Sequence, residues 1–234
     1  MSSFALHGFT AGPEQWQKLL PDARCPSLVG HGPNPSLEAK YFDQELQRLA
    51  LLAVELPRPR RLFGYSMGAR VGLGLLIEHP DLFDDAVLVG GSPGLNDPAA
   101  RSERLLWEQG WMRLLREQGV DAFVEAWERL PLFSSQVTIA AAERDAQSRS
   151  RRSHTAPGLV RALSVLGLGV MPSLWTGLAR VKARVRLVAG QLDTKFAQLA
   201  RAQAELMPRA EIVLIDGAGH NPLLEAPEAI VRFV

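Results

Sequence analysis

Apolar residues along this 234-residue chain fall into short continuous runs ending in glycine, which alternate with longer stretches of helical spacing. The runs SFALHG (3–8), RLFGYS (61–66), DDAVLVGGSPG (84–94), ARVRLVAGQLD (183–193) and AEIVLIDGAGH (210–220) read as strands with their following turns. MGARVGLGLLIEH (67–79) and KFAQLARAQAELM (195–207) carry apolar positions at helical spacing. Continuous apolar strands separated by helices predict a parallel sheet covered on both faces, an α/β fold.

Residues 95–178 break the alternation. They hold Trp107, Trp111, Trp127 and Trp175, many arginines and no strand pattern. WMRLLREQGVDAFVEAW (111–127) fits amphipathic helices that must cover something. The expected division is therefore a core of 1–94 and 179–234 with a helical cap inserted at 95–178. Insertions above the carboxyl ends of parallel strands commonly close over ligand sites.

Composition changes this picture little. Hydrophobic residues make up 47% and charged residues 22%, and the net charge is +1. That is an ordinary globular balance, with no global attraction to nucleic acid or membrane surfaces. The uncharged stretch 162–179 contains Pro172, Ser173, Thr176 and several glycines, too weakly apolar for a membrane span. The N-terminus lacks the basic and apolar regions of an export signal, so a cytoplasmic location is expected. A single cysteine, Cys25, excludes an internal disulfide, and it carries no metal-ligand spacing, so no metal is expected.

The chemistry concentrates in Gly64-Tyr65-Ser66-Met67-Gly68, a G-x-S-x-G element between a predicted strand and a predicted helix. That context marks a nucleophile elbow, a strained turn that lifts the serine hydroxyl clear of the sheet. A serine hydroxyl is a weak acid and needs a base, itself oriented by an acid. His220 follows the last predicted strand and Asp193 the one before, which is the order Ser, Asp, His that this architecture uses. Asp193 could instead cap the helix that follows it, and Asp216 is a rival acid. An oxyanion hole would take the N–H of Met67 and the N–H of Phe9, in the turn LHGFTAG. His7 and His31 are expected to support loops, and His79 and His154 to sit at surface or structural positions. Lys195 either lines the pocket or pairs at the surface.

These residues together resemble the α/β-hydrolase superfamily over nearly the whole chain. LHGFTAGPEQW, GYSMGAR, GQLDTKF and GAGHNPLLEAPEAI resemble, within it, the SHCHC synthases (2-succinyl-6-hydroxy-2,4-cyclohexadiene-1-carboxylate synthase, MenH) of menaquinone biosynthesis. FVEAWERLPLF and residues 150–175 are similar to that family's cap. The resemblance implies a cofactor-free lyase that eliminates pyruvate from a small polycarboxylate, with Ser66, His220 and Asp193 as a general-base triad. It implies a pocket of Tyr65, Arg70, Arg104, Trp127 and Arg152, with Arg101 and Arg151 as close competitors. Guanidinium groups bind carboxylates bidentately, so arginines suit such a substrate. One departure is Ser27-Leu28-Val29-Gly30-His31-Gly32, where the family often has D-L-P-G-H-G. A carboxylesterase or thioesterase acting through an acyl-enzyme, and a catalytically silent binding module, remain as alternatives. The oligomeric state is left open.

Overall fold

The computed structural model describes residues 1–233; Val234, assigned to the core on sequence grounds, lies outside the described residues. The strands are β1 (Ser2–Leu6), β2 (Arg60–Tyr65), β3 (Asp85–Val89), β4 (Arg184–Gly190) and β5 (Ala210–Ile215). The helices are α1 (Glu14–Gln17), α2 (Phe42–Val54), α3 (Met67–Glu78), α4 (Pro98–Glu128), α5 (Ala141–Arg152), α6 (Ala156–Leu166), α7 (Thr194–Ala204), α8 (Pro222–Glu225) and α9 (Pro227–Val231). No helix among the described residues is long and apolar enough to cross a membrane.

The strands pair in chain order, β1-β2-β3-β4-β5, and every pairing is parallel. The register runs Leu6–Gly64–Leu88–Leu187–Ile212 across the sheet. Successive side chains on each strand point to opposite faces. Phe4, Leu6, Leu62, Leu88 and Leu187 bury against α2, α3 and the end of α6. Ala5, Phe63, Tyr65, Val87 and Val188 bury against Trp16, Leu223 and Ile230 on the other face. Both faces are covered, which is why the strands are apolar without a polar alternate.

Each predicted strand forms within one or two residues of its expected place. Helix α2 was not anticipated. Its buried residues Phe42, Leu46, Leu49, Ala50 and Ala53 give it one apolar stripe. No strand forms at residues 24–29; a single parallel bridge between Phe4 and Arg24 is all that pairs there. Between β3 and β4 the chain holds helices α4, α5 and α6 and short 3-10 turns, without a strand. Helix α4 is broken at Gly119, where φ is 81° and ψ is −175°. This excursion has its own apolar cluster of Met112, Leu115, Phe123, Val124, Trp127, Leu159 and Leu163, against which Phe9 also packs.

Parallel strands put all their carboxyl ends on one edge of the sheet. The segment after β1 (residues 7–12), Ser66 after β2, Asp193 after β4 and His220 after β5 therefore share that edge. Glycine makes the tightest junction possible. A β-carbon on Gly68 would run into the carbonyl oxygens of Leu6 and His7, and one on Gly64 would lie 2.7 Å from the Gly68 carbonyl oxygen.

Gly68→Ala should therefore destabilise by about 1–3 kcal/mol or more, since the obstacles are backbone atoms. Gly110→Ala, in α4 with open space around it, should gain up to about 1 kcal/mol from helix propensity. Urea unfolding midpoints of the two variants check this contrast. Equal and small effects would mean that α3 does not seat on β1 as tightly as described.

Candidate active site

Ser66 sits between β2 and α3 with φ 50° and ψ −106°, an unusual conformation for a residue with a side chain. Such backbone strain costs of order 1–3 kcal/mol and persists only where the surroundings impose it. Here the Ser66 N–H is anchored to the Val89 carbonyl at 2.8 Å, and the Gly64 and Gly68 contacts leave no alternative path. The Ser66 hydroxyl donates to His220 Nε2 at 3.0 Å, and His220 Nδ1–H donates to Asp193 Oδ2 at 2.7 Å. Asp193 Oδ1 also accepts the Phe196 N–H at 3.3 Å at the start of α7. Helix cap and acid partner, opposed on sequence grounds, are held by the two oxygens of one carboxylate. Asp216, the rival acid, is exposed.

His220 is buried between the Tyr65 ring at 5.6 Å and the Phe196 ring at 4.4 Å. Glu225, which sequence reasoning missed, holds its backbone. One oxygen accepts the Gly219 N–H at 2.5 Å and the other the Asn221 N–H at 3.0 Å, the two amides flanking the histidine. An acidic residue five positions beyond a histidine in a strand-end loop was the available signal. Burial holds the Tyr65 phenol far above its usual range, so it stays protonated.

A cavity of about 260 Å³ opens onto Ser66 and His220. Phe9, Tyr65, Trp127, Phe133 and Arg151 help to line it. The N–H groups of Phe9 and Met67 donate no hydrogen bond among the described residues. The hydrogen-bonded chain can pass a proton from Ser66 to His220.

The arginines are distributed differently from the expectation. Arg151, the neighbour of Arg152, lies on the cavity wall; it binds Glu128 at 3.0 Å and stacks 4.7 Å over Phe133. Arg152 is exposed and pairs with Asp121 at 3.2 Å. Arg104 binds Glu108 at 2.8 Å and lies 4.2 Å over Trp107, whose ring is 5.9 Å from that of Trp127. Arg101 is spent on the carbonyls of Gly169, Val170 and Met171. Arg70 is buried with Nε and Nη1 unpartnered, and burial lowers its pKa to about 10 with Glu108 opposing. Arg70, Arg104 and Arg152 are not among the residues lining this cavity. Lys195 is exposed beside Phe196.

Three histidines lie behind the 7–12 turn. His7 and His31 rings are 4.7 Å apart, and His31 and His154 are 5.4 Å apart, both edge-on. Each accepts a backbone N–H: His7 Nε2 from Leu28 at 3.0 Å, His31 Nε2 from Thr10 at 3.3 Å, His154 Nδ1 from Gly32 at 2.8 Å. Burial lowers the pKa of all three, that of His7 to about 4. His154 is thus buried, the structural rather than the surface one of the two expected positions.

The model of the "Alpha/beta hydrolase family" matches residues 4–233. A Bacillus subtilis (strain 168) protein named putative 2-succinyl-6-hydroxy-2,4-cyclohexadiene-1-carboxylate synthase is 30% identical over 238 residues, covering 98% of this chain and 87% of that one. The 2-succinyl-6-hydroxy-2,4-cyclohexadiene-1-carboxylate synthase of Enterobacter sp. (strain 638) is 29% identical, covering 96% and 86%. A solved structure described as MenH from S. aureus superposes with a TM-score of 0.91 at 28% identity, covering 99% of this chain and 91% of that one.

The three neutral histidines make stability fall with acid. Between pH 6.5 and 4 the unfolded chain protonates His7 while the folded chain does not. This stability is complete above 6.5 and is lost as pH falls toward the folded value, of order 3 kcal/mol for His7 at 1.36 kcal/mol per unit. Carboxylates titrate mainly below this window. Urea unfolding between pH 7.5 and 4.5 reads the slope, and a flat profile would count against neutral burial.

Proposed function

The chain belongs to the alpha/beta hydrolase family, and from that premise we propose that it is an SHCHC synthase of menaquinone biosynthesis, working in the cytoplasm on a dissolved tricarboxylate. The substrate is 2-succinyl-5-enolpyruvyl-6-hydroxy-3-cyclohexene-1-carboxylate. Its ring C2–H lies next to the succinyl ketone and, through the ring double bond, is conjugated with the C5–O bond that must break. His220 takes the Ser66 proton, and the Ser66 oxygen takes the proton from C2. The electron pair moves into the ring, a second double bond forms, and enolpyruvate leaves from C5. The proton on His220 then goes to the departing enolate, which becomes pyruvate. Negative charge collects on the ketone oxygen during the step, and the Phe9 and Met67 amides are free to hold it. No acyl-enzyme forms.

The single observation that carries this reading is the hydrogen-bonded chain from Ser66 through His220 to Asp193, with Ser66 and His220 on the wall of a cavity. Likeness to the synthases over nearly the full length of both chains supports the choice of elimination. We take residues 95–178 as a cap that supplies Trp127 and Arg151 to the wall, with Tyr65 beside the serine. Arg70 supports an anionic substrate through its unfilled buried donors. A carboxylesterase or thioesterase is the second reading. It is favoured by the engagement of Arg104 and Arg152 with Glu108 and Asp121, outside the cavity wall.

Pyruvate release from the enolpyruvyl substrate tests the first reading, with p-nitrophenyl ester cleavage as its rival. Ser66→Ala should lower kcat for elimination about 10²- to 10⁴-fold. Ester turnover without pyruvate release would establish the second reading instead. Arg151→Ala should raise KM for the tricarboxylate about tenfold or more and leave a neutral ester nearly unaffected, since a desolvated charge pair is worth about 2 kcal/mol or more. Equal losses on both substrates would remove Arg151 as a carboxylate partner.

A further inference from the structure

Among the described residues, Thr10 is one of two residues other than glycine with positive φ, at 64°; the other is Ser66. A threonine in that region is strained and must be held there. It directly follows Phe9, whose N–H faces the space beside Ser66 in the reading above. What holds Thr10 is a histidine from a distant part of the chain, itself packed by a second one. Its N–H donates to His31 Nε2 at 3.3 Å. His31 Nδ1–H donates to the Val29 carbonyl at 3.1 Å, so the ring is oriented from both ends and must be neutral. His154 packs edge-on against His31, and its buried Nε2 has no hydrogen-bond partner. Its Nδ1 accepts the Gly32 N–H, in the loop that carries His31.

His154 stands between α5 and α6, in the helical excursion. The Phe9 ring is wedged the same way, 5.8 Å from His31 on one side and 5.3 Å from Trp127 of the excursion on the other. The turn carrying the Phe9 amide is therefore held by His31 from the core, and both His31 and the Phe9 ring are packed in turn by side chains of the excursion. We propose that His31 and His154 are positioning residues, and that His154 makes the amide pocket beside Ser66 conditional on the excursion being docked. The inference rests on the triad reading, since it assigns work to the Phe9 N–H. It does not require elimination, because an amide pocket serves an eliminating or an acyl-transferring serine alike. A protein built this way raises its oxyanion donors only where water has been excluded by the excursion.

His154→Asn separates the two halves of the side chain. Its amide oxygen can still accept the Gly32 N–H, but no ring packs on His31. His154→Leu removes both. Two rates are measured on the full chain: pyruvate release, and phosphonylation of Ser66 by a fluorophosphonate. His154→Asn should lower kcat and the labelling rate about tenfold, with KM within about threefold and the thermal midpoint close to wild type. His154→Leu should lose more on both rates. An Asn variant with wild-type kcat and labelling overturns the proposal and leaves His154 as a strut between excursion and loop. Loss of thermal stability alone, at full rates, does the same. Wild-type labelling without pyruvate release ends the elimination reading but leaves this one to the labelling rates. Wild type inert to both ends the two together.

Discussion

Everything at this site depends on how closely α3 approaches the end of β1. Only hydrogen fits between Gly68 and the carbonyls of Leu6 and His7. That contact fixes the start of the helix relative to the sheet, and the serine between strand and helix has to take an unfavourable backbone angle to join them. The strain is small against the burial of the surrounding sheet and helix, which is why the fold tolerates it. In return the hydroxyl stands above the sheet edge, within reach of the segments following β1, β4 and β5. A looser junction would let the chain relax and the serine sink toward the sheet.

The rest of the arrangement is orientation by shared carboxylates. Asp193 caps α7 with one oxygen and holds His220 with the other. Glu225 takes the amides on either side of His220 with its two oxygens. Neither acid is dedicated to one partner, so helix, loop and imidazole are fixed together. Charge-assisted hydrogen bonds of this kind are stronger than neutral ones and tolerate little displacement. The histidines behind the opposite turn work without charge. Each accepts an amide through a bare ring nitrogen, an arrangement available only to neutral imidazole.

The strands, α3, α7 and the positions of Ser66, Asp193 and His220 were legible because they depend on local pattern and on chain order. Continuous apolar runs betray a sheet buried on both faces, and G-x-S-x-G between strand and helix betrays the elbow. Helix α2 was missed although FDQELQRLALLAV carries a clear apolar stripe. The aim of each cap arginine was not legible. Arg151 and Arg152 are adjacent, and helical spacing turns neighbours about 100° apart; which one faces the cavity depends on how α5 seats, a tertiary fact. His154 illustrates the same limit. A polar residue at the end of an arginine-rich helix reads as surface until the loop bearing His31 and Gly32 is known to lie against it.

Arg70 is the buried arginine whose cost the fold leaves uncompensated, although it does not line the cavity at Ser66. A guanidinium has five donors, and burying it without partners is costly enough to depress its pKa. Glu108 is close enough to oppose that shift, but its carboxylate is already taken by Arg104 and by the Leu168 and Gly169 amides. Arg70 is therefore left with unfilled donors one helical turn from Ser66. Folding alone offers no return for this, since an apolar side chain of similar size would fill the space at lower cost. An anion reaching those donors would recover the cost, and would do so better the more completely water is excluded. A neutral ester gives no such recovery. On the proposed reading that anion is a carboxylate of the substrate, and Arg70, unlike Arg104 and Arg152, still has donors to offer it.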